Sequence, residues 1–479
     1  MSARTRELFG LLPVSLLVAA GFAAVLATRT EDVSDATLTY GAVFLGLCVL
    51  AHLFIRARLP DADPYLFPLG ALLAAVGLVL IYRIDAELAR EQAQWFVVGL
   101  LFFCGTILLV RDHHVLERYR YTIAAASIAL LMLPRLPGIG DQVNGAFLAI
   151  KLGPIQFQPA EFAKLGIIVF LASYLRETGD ILVRPRLRPL PGQRQLLLYG
   201  VPALLTGLAI LVLGLGPAGS VLLIVFVASF VAVLRERPSP KHFGPLLLIW
   251  GLAMLMLIVI RDLGSSLMFF GGFLALLYVA TGRLSLIGVG ATMFFGGAFF
   301  LARSVAHVQE RVDIWLDPFA RGVVDDEGYQ VAQSLFAQAD GGLFGRGFGE
   351  ALIEFGGTPI LPAAHTDLIY AVLVNEAGLF GAAGVIGAYL LFAFRGFKTA
   401  LLANDGFSKL LATGLTAVLA LQVFVIVGGV TRVIPLTGVT LPFVSYGGSS
   451  IVANMVLLGL LLIVSDHARS VGMRRGGLV

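Results

Sequence analysis

Charge is what this chain has least of: Asp, Glu, Lys and Arg make up only 13% of its 479 residues, against about a quarter in soluble globular domains. Cysteine is nearly missing too, with Cys48 and Cys104 alone, both inside apolar runs. Thiols there behave as small buried hydrophobes, which argues against a disulfide framework, a metal–thiolate centre and redox chemistry. No strand pattern surrounds the glycine-rich stretch from Gly341 to Gly349. A dinucleotide loop needs a strand before it and a helix after it, so that reading is excluded, and close backbone approach or loop flexibility accounts for these glycines. The first apolar run lacks a small-residue cleavage site and many others follow it, so it reads as a span and not as a removable signal. A net charge of only +4 gives nucleic-acid binding little support.

What is present is hydrophobic: 58% of residues are apolar and the mean hydropathy is +0.91. A helix needs about 20 apolar residues to cross a bilayer core. On that scale fourteen spans are expected, near 10–28, 39–56, 67–82, 93–110, 121–135, 162–176, 197–214, 219–235, 242–260, 263–281, 284–302, 368–394, 408–430 and 449–466. The fold class is therefore an all-α polytopic membrane protein. Basic residues mark alternate connections, among them Arg56, Arg58, Arg111, Arg118, Arg120, Arg283, Arg395 and Arg469. The positive-inside rule assigns that side, with both termini, to the cytoplasm. The connections 136–161, Arg261-Asp262, 303–367 and 431–448 then face outward and hold nearly all the distinctive polar sequence. No ATP is available there, so an enzyme on that face needs a substrate that arrives activated.

Within the long outer stretch, Val331, Leu335 and Phe336 recur at helical spacing after Tyr329, with Gln330, Gln333, Ser334 and Gln338 between them. That predicts a short amphipathic helix at the membrane surface, either a lid on the bundle or a wall of a groove. The stretch ends in Pro362-Ala363-Ala364-His365-Thr366-Asp367 and runs straight into an apolar segment. Ionisable groups are expensive in hydrocarbon, so chemistry gathers where polar loops meet helix ends. Asp367 stands at such a junction, where a carboxylate is also commonly a helix cap. The macrodipole of the following helix is expected to keep it ionised and to lower its basicity.

Other polar residues carry plainer expectations. Glu161 and Lys164 suit an i,i+3 pair at a helix entrance. Asp262 is expected to pair with its neighbour Arg261. Glu376, about two and a half turns beyond Asp367, would need a polar partner inside the bundle. Ser445 to Ser450 has no general base at recognisable spacing, which assigns it to shaping a cavity. Asp313, Asp317, Asp325, Asp326 and Glu327 read as solvated loop charge or a cation site.

Taken in order, the motifs resemble the SEDS family of membrane glycosyltransferases, the RodA and FtsW proteins, over about residues 67–466. The markers are Asn144-Gly145-Ala146, Leu152-Gly153, the run from Gln158 to Leu165, Asp262-Leu263-Gly264, Asp317-Pro318-Phe319, Gly328-Tyr329-Gln330 with Gln333-Ser334, His365-Thr366-Asp367, Asn375-Glu376-Ala377-Gly378 and the run from Leu441 to Ser450. Departures accompany them. Leu148-Ala149 stands where relatives usually have Arg-Trp, Ile260-Arg261 replaces the usual Gln-Pro, and Ala363 replaces a frequent Glu.

The resemblance implies a ten-helix core plus about four additional transmembrane helices. Two of these occupy 1–60, the core runs over 61–466 with an inserted pair near 197–235 and the large outer loop 303–367, and a cytoplasmic tail covers 467–479. It implies a peptidoglycan glycosyltransferase that polymerises lipid II into β-1,4 glycan with inversion, using Asp367 as general base. Substrate-binding candidates are Lys151, Arg303, Arg311, Arg346 and Arg432 for the departing pyrophosphate, with His365, Ser445 and Ser449; each cation is equally suited to anchor at lipid headgroups. A divalent cation, Mg or Mn, is a candidate helper. Expected partners are the growing glycan chain, membrane lipids and a class B penicillin-binding transpeptidase. Pro435-Leu436-Thr437-Gly438 is closer to the elongation type, RodA, than to the division type, FtsW. Rival readings are the division-type polymerase, a lipid II flippase or transporter, and a scaffold.

Overall fold

Eight helices among the described residues are long and apolar enough to cross a membrane, so the chain is a polytopic helical membrane protein. The computed structural model describes residues 3–28, 35–136, 140–143, 146–152, 155–183, 199–213, 217–236, 262–304, 306–351, 353–355 and 358–476. Its helices are α1 (Ala3–Thr28), α2 (Asp35–Arg58), α3 (Leu66–Ile84), α4 (Ala86–Leu109), α5 (Val115–Arg118), α6 (Arg120–Met132), α7 (Pro159–Val183), α8 (Val201–Leu213) and α9 (Pro217–Glu236). There follow α10 (Leu263–Thr281), α11 (Leu284–Ser304), α12 (Ala306–Leu316), α13 (Tyr329–Gly341), α14 (Ile369–Leu402), α15 (Gly406–Val430) and α16 (Gly448–Gly476).

The eight candidate spans lie in α1 to α4, α10, α14, α15 and α16. Fourteen were expected. The stretch at 121–135 is covered by α6 and a 3-10 turn at Leu133–Arg135, and α8 covers most of the stretch at 197–214, whose two ends lie outside the described residues. In α7 the ionisable residues Glu161, Lys164, Arg176, Glu177 and Asp180 offset its length. The expected span at 242–260 lies outside the described residues.

Helix starts follow capping chemistry. Asp85 accepts from Glu87 N and Leu88 N at the start of α4, and Asp405 accepts from Ser408 N at the start of α15. Each satisfies backbone donors that a first turn leaves open. The centre of the bundle is built from α3, α7, α10, α14, α15 and α16, with α16 packed along α4 and α15 lying between α10 and α14. Fully buried Phe392 and Phe443 meet there at 6.2 Å.

The outer connections have structure of their own. Residues expected only as a polar connection hold an antiparallel sheet of β1 (Gly140–Val143), β2 (Ala146–Leu152) and β3 (Ile155–Phe157), in order β1-β2-β3. A two-residue ladder, β4 (Glu354–Phe355) with β5 (Thr358–Pro359), precedes Asp367. Both are additions to an otherwise helical fold. The amphipathic helix expected after Tyr329 is α13, which packs on α14 and buries Val331, Ala332 and Ser334. Phe336 is half exposed instead of buried, resting against Phe319 at 5.5 Å.

A break in α14 explains the glycine-rich stretch. Gly378 leaves helical geometry at φ 65° and ψ −173°, which frees backbone groups inside a membrane-spanning helix. The glycine-rich stretch takes them up: Arg346 N donates to Asn375 O at 2.9 Å and Gly347 N to Glu376 O at 3.1 Å, while Leu379 N donates to Gly342 O at 3.0 Å. A Cβ on Gly345, itself at φ 82°, would lie 2.0 Å from Glu376 O. Non-helical backbone is tolerated at such depth only where protein satisfies it, and close backbone approach is the reason for glycine here.

At the other end of α14, Asp63 is fully buried between Arg395 and Arg469. It also accepts from Tyr65 N at 2.9 Å. Close by, Arg4 of α1 bonds Glu7 and the carbonyl of Ala62, and Glu7 meets His52 Nδ1 of α2 at 2.8 Å. Glu7 and His52 thus join α1 to α2, and Arg4 ties α1 to the backbone that leads into α3.

Candidate active site

Asp367 is not in the first helical turn. It lies in the turn over residues 362–368, two residues before α14 begins. The residue keeps part of its surface exposed while its carboxyl group is closely surrounded by protein. Burial pushes that carboxyl up from 3.8 to about 6, with Arg311 pulling the other way. This corrects the expectation of lowered basicity: desolvation of the anion outweighs the favourable charges near it. A Cβ on Gly438, at φ 68°, would sit 3.6 Å from Asp367 Oδ2, so the 431–447 loop approaches the carboxylate at its smallest residue.

Arg311 reaches the site from α12. Its Nη1 donates to Leu436 O at 2.8 Å, which fixes the guanidinium against the same loop. Asp262 shares this neighbourhood and feels both Arg311 and Glu161. Its side chain accepts from Ser265 N at 2.9 Å as the cap of α10, and burial raises its pKa. The expected pairing with Arg261 involves a residue outside the described ones. Capping is the observed role of the Asp262 carboxylate.

Beneath this surface runs a chain of buried polar contacts. Lys164 Nζ lies 2.6 Å from Glu161 Oε2 and 2.8 Å from Gln422 Oε1. Gln422 Nε2 donates to Thr440 O, and Thr440 Oγ1 donates to Ser450 Oγ at 2.9 Å. A lysine this deeply buried (2% exposed) is tolerable only with such partners. Gln422 and Thr440 were not singled out in the sequence; a lone Gln in the apolar run of α15 was the available signal.

The serines are engaged with backbone. Ser445 Oγ donates to Thr366 O at 2.7 Å and accepts from Leu441 N at 2.8 Å, and Ser449 Oγ accepts from Gln158 N at 2.9 Å. These bonds tie the 431–447 loop to the turn carrying Asp367 and to the entrance of α7. His365 has its ring edge-on to Tyr446 at 5.7 Å, and its carbonyl accepts from Tyr446 N at 2.8 Å. Burial lowers its pKa, so the imidazole is neutral near pH 7, with Asp85 acting the other way.

Each of the four candidate arginines has a partner of its own. Arg346 pairs with Asp340 at an exposed position, and Arg303 stacks over the Phe299 ring at 4.6 Å. Arg432, at φ 60°, binds the carbonyls of Trp315 and Leu316, while Trp315 Nε1 donates to Arg432 O at 3.1 Å. A guanidinium at the carbonyl end of α12 is well placed electrostatically. Lys151 lies on β2 opposite Gln156, with its side chain outside what is described. Among the described residues, Arg311 is the cation whose charge acts on Asp367. Glu376 Oε1 lies 3.0 Å from Arg83 Nε, and Arg83 also donates to Ala351 O, which joins α3, α14 and the outer loop. A cavity of about 310 Å³ opens between α13 and α14, lined by Gln333, Phe336, Asp340, Ile353, Leu361 and Asn375. Asp367 is not among its lining residues.

Comparison with known proteins adds to this geometry. The profile of the FtsW, RodA and SpoVE family, described as cell cycle protein, matches residues 65–237 and 220–470. Over 477 residues the chain is 36% identical to the peptidoglycan glycosyltransferase RodA of Mycobacterium tuberculosis, covering 97% of this chain and 91% of the relative. It is 28% identical, with a TM-score of 0.58, to a chain from a solved peptidoglycan synthase complex, covering 85% of this chain and 98% of that one. The crystal structure of the rod shape determining protein RodA from Thermus thermophilus is 26% identical at a TM-score of 0.50, covering 85% and 97%.

Proposed function

The chain belongs to the FtsW, RodA and SpoVE family, and from that premise we propose how it performs the family's reaction. It is a peptidoglycan glycosyltransferase. Its donor is lipid II, whose sugar is carried on a prenyl pyrophosphate, and its acceptor is a sugar hydroxyl of the glycan chain. Asp367 takes the proton from that hydroxyl as its oxygen forms a bond to the donor's anomeric carbon. The bond from that carbon to the pyrophosphate oxygen breaks on the opposite face, which inverts an α linkage to β. A single carboxylate suffices, and a base of this kind typically contributes about 10²–10⁴-fold.

One observation carries the assignment: the Asp367 carboxyl is surrounded by protein, pushed up to about 6, and opposed by Arg311 alone among the groups that shift it. A base in that range is ionised at neutral pH yet more basic than an exposed aspartate. Arg311 holds positive charge at the same place, where it opposes charge building on the departing pyrophosphate. The elongation-type assignment rests on the RodA relatives. The 303–367 and 431–447 segments with Asp367 face outward and both termini face the cytoplasm, as the basic connections require. A penicillin-binding transpeptidase is the partner, in keeping with the likeness to a complex that couples polymerization to crosslinking. A divalent cation, Mg or Mn, is an optional aid at the pyrophosphate.

The test is direct. Purified protein given lipid II, with and without divalent cation, forms glycan chains, and Asp367→Asn does not although it folds into the same helical protein. Polymer formation by Asp367→Asn at the wild-type rate would remove Asp367 from the chemistry. Movement of lipid II across vesicles without polymer would replace the reaction itself.

A further inference from the structure

At the end of α14 remote from Asp367, the connection after α4 carries Asp112, His113 and His114, each of which offers one ligand-capable atom within 4.8 Å of the other two. Two more donors arrive from distant sequence. Asp405, the cap of α15, has Oδ1 at 3.4 Å from His114 Nε2, and the ring of His467 on α16 lies 5.4 Å from that of His113 and 5.8 Å from that of His114. Three imidazoles and two carboxylates therefore meet where α4, α15 and α16 end or begin.

The hydrogen bonds settle which nitrogen of His113 is free to ligate. Ser408 Oγ has a single proton and gives it to Asp405 Oδ2, so it can only accept from His113 Nε2, which lies 2.5 Å away. His113 is thus protonated on Nε2 and carries its lone pair on Nδ1. A ring N–H held by a hydroxyl that is itself held by a carboxylate is the support that metal-ligating histidines commonly have. His114 has Nδ1 at 2.8 Å from Asp112 Oδ1 and Nε2 facing Asp405. Carboxylates only accept, so each nitrogen bears a proton and the ring is a cation bridging two acids. The position calls for positive charge and supplies nitrogen and oxygen donors around it.

We propose that this cluster binds a divalent first-row transition metal ion, of the zinc class, through His113 Nδ1, one ring nitrogen of His114 and the Asp112 carboxylate, with His467 as the adjacent fourth donor. The donor set decides the class: imidazole with carboxylate suits zinc, cobalt and nickel better than magnesium or calcium, which take oxygen ligands. Binding draws the donors inward from within 4.8 Å to about 3.3 Å, the separation that bonds of about 2 Å make at tetrahedral angles. It also displaces the proton on the ligating His114 nitrogen. The ion would join the α4–α6 connection to the start of α15 and the end of α16, far from the glycosyl-transfer site.

The test uses the full-length protein in detergent without a polyhistidine tag, titrated with Co²⁺ and then Zn²⁺. The expected result is one equivalent bound per chain, visible cobalt absorption bands that zinc removes, and proton release on binding in weakly buffered solution near pH 7. His114→Ala and Asp112→Asn each weaken binding at least about tenfold, and exposed His467→Ala weakens it without altering melting in EDTA. Because replacing buried His113 threatens folding, the variants at the accessible positions carry the test. No cobalt bands in the wild type, or equal affinity in His114→Ala and Asp112→Asn, overturns the proposal and leaves an ordinary ion-pair cluster.

Discussion

Asp63 and Asp367 lie beside opposite ends of α14, and the fold treats these two enclosed carboxylates in opposite ways. Asp63 is saturated: Arg395, Arg469 and the backbone of Tyr65 occupy its oxygens, and no surface is left to solvent. Asp367 keeps an open edge, and among the described residues Arg311 is the charge that steadies its anion. Every hydrogen bond accepted by a carboxylate lowers its appetite for a proton. Saturation makes a rivet, and leaving the group short of partners makes a base.

The largest effect that would test this contrast is on rate. Asp367→Asn is expected to cut lipid II polymerisation by about 10²–10⁴-fold, whereas Asp63→Asn, compared at equal amounts of folded protein, leaves the dependence of rate on pH unchanged. Stability reverses the order. Asp63→Asn leaves two guanidinium groups without their counter-ion, at a cost of about 3–5 kcal/mol read as a lowered melting temperature.

Removing the Asp367 charge has the opposite sign. A carboxyl raised from 3.8 to about 6 binds its proton more tightly when folded, so its contribution is fully present below about 4 and lost as pH rises through 6. Above pH 6 the Asn variant should therefore melt higher than wild type, by about 1–3 kcal/mol at one pKa unit per 1.4 kcal/mol, reduced for partial exposure. Equal melting of the two proteins from pH 4 to 8 would contradict the burial argument.

The smallest effect concerns the midpoint. Wild-type activity should climb with pH to a plateau, with half-maximum near 6, because the unprotonated form does the work. Arg311→Gln moves that midpoint to higher pH, since the cation that favours the anion is gone. A rate loss with no displacement of the midpoint would make Arg311 a scaffold for Leu436 alone.

Much of this was legible in the residues themselves. Apolar runs of sufficient length announced the eight long helices, and helical spacing after Tyr329 announced α13. Asp367 stood out because a polar run ended at an apolar one. What escaped was whatever depended on partners far away in sequence. Phe147, Leu148, Ala149 and Ile150 offer no polar alternation, so β2 could not be told from more greasy chain. Arg432 and Arg346 looked like free cations because Trp315, Leu316 and Asp340 become their partners only in the fold. The cap role of Asp262 was obscured by the arginine beside it. Asp112, His113 and His114 are consecutive, yet they gain meaning only when Asp405 and His467 arrive beside them.

The interruption at Gly378 divides α14 into two mechanical parts. Residues 369–377 are laced to the glycine-rich stretch through Asn375 and Glu376, and Arg83 clasps Glu376 from α3. Residues 379–402 run on past Arg395, which joins the Asp63 rivet. The short forward piece begins two residues after Asp367, so the turn that carries the base and the glycine-rich stretch grip the two ends of one nine-residue helix.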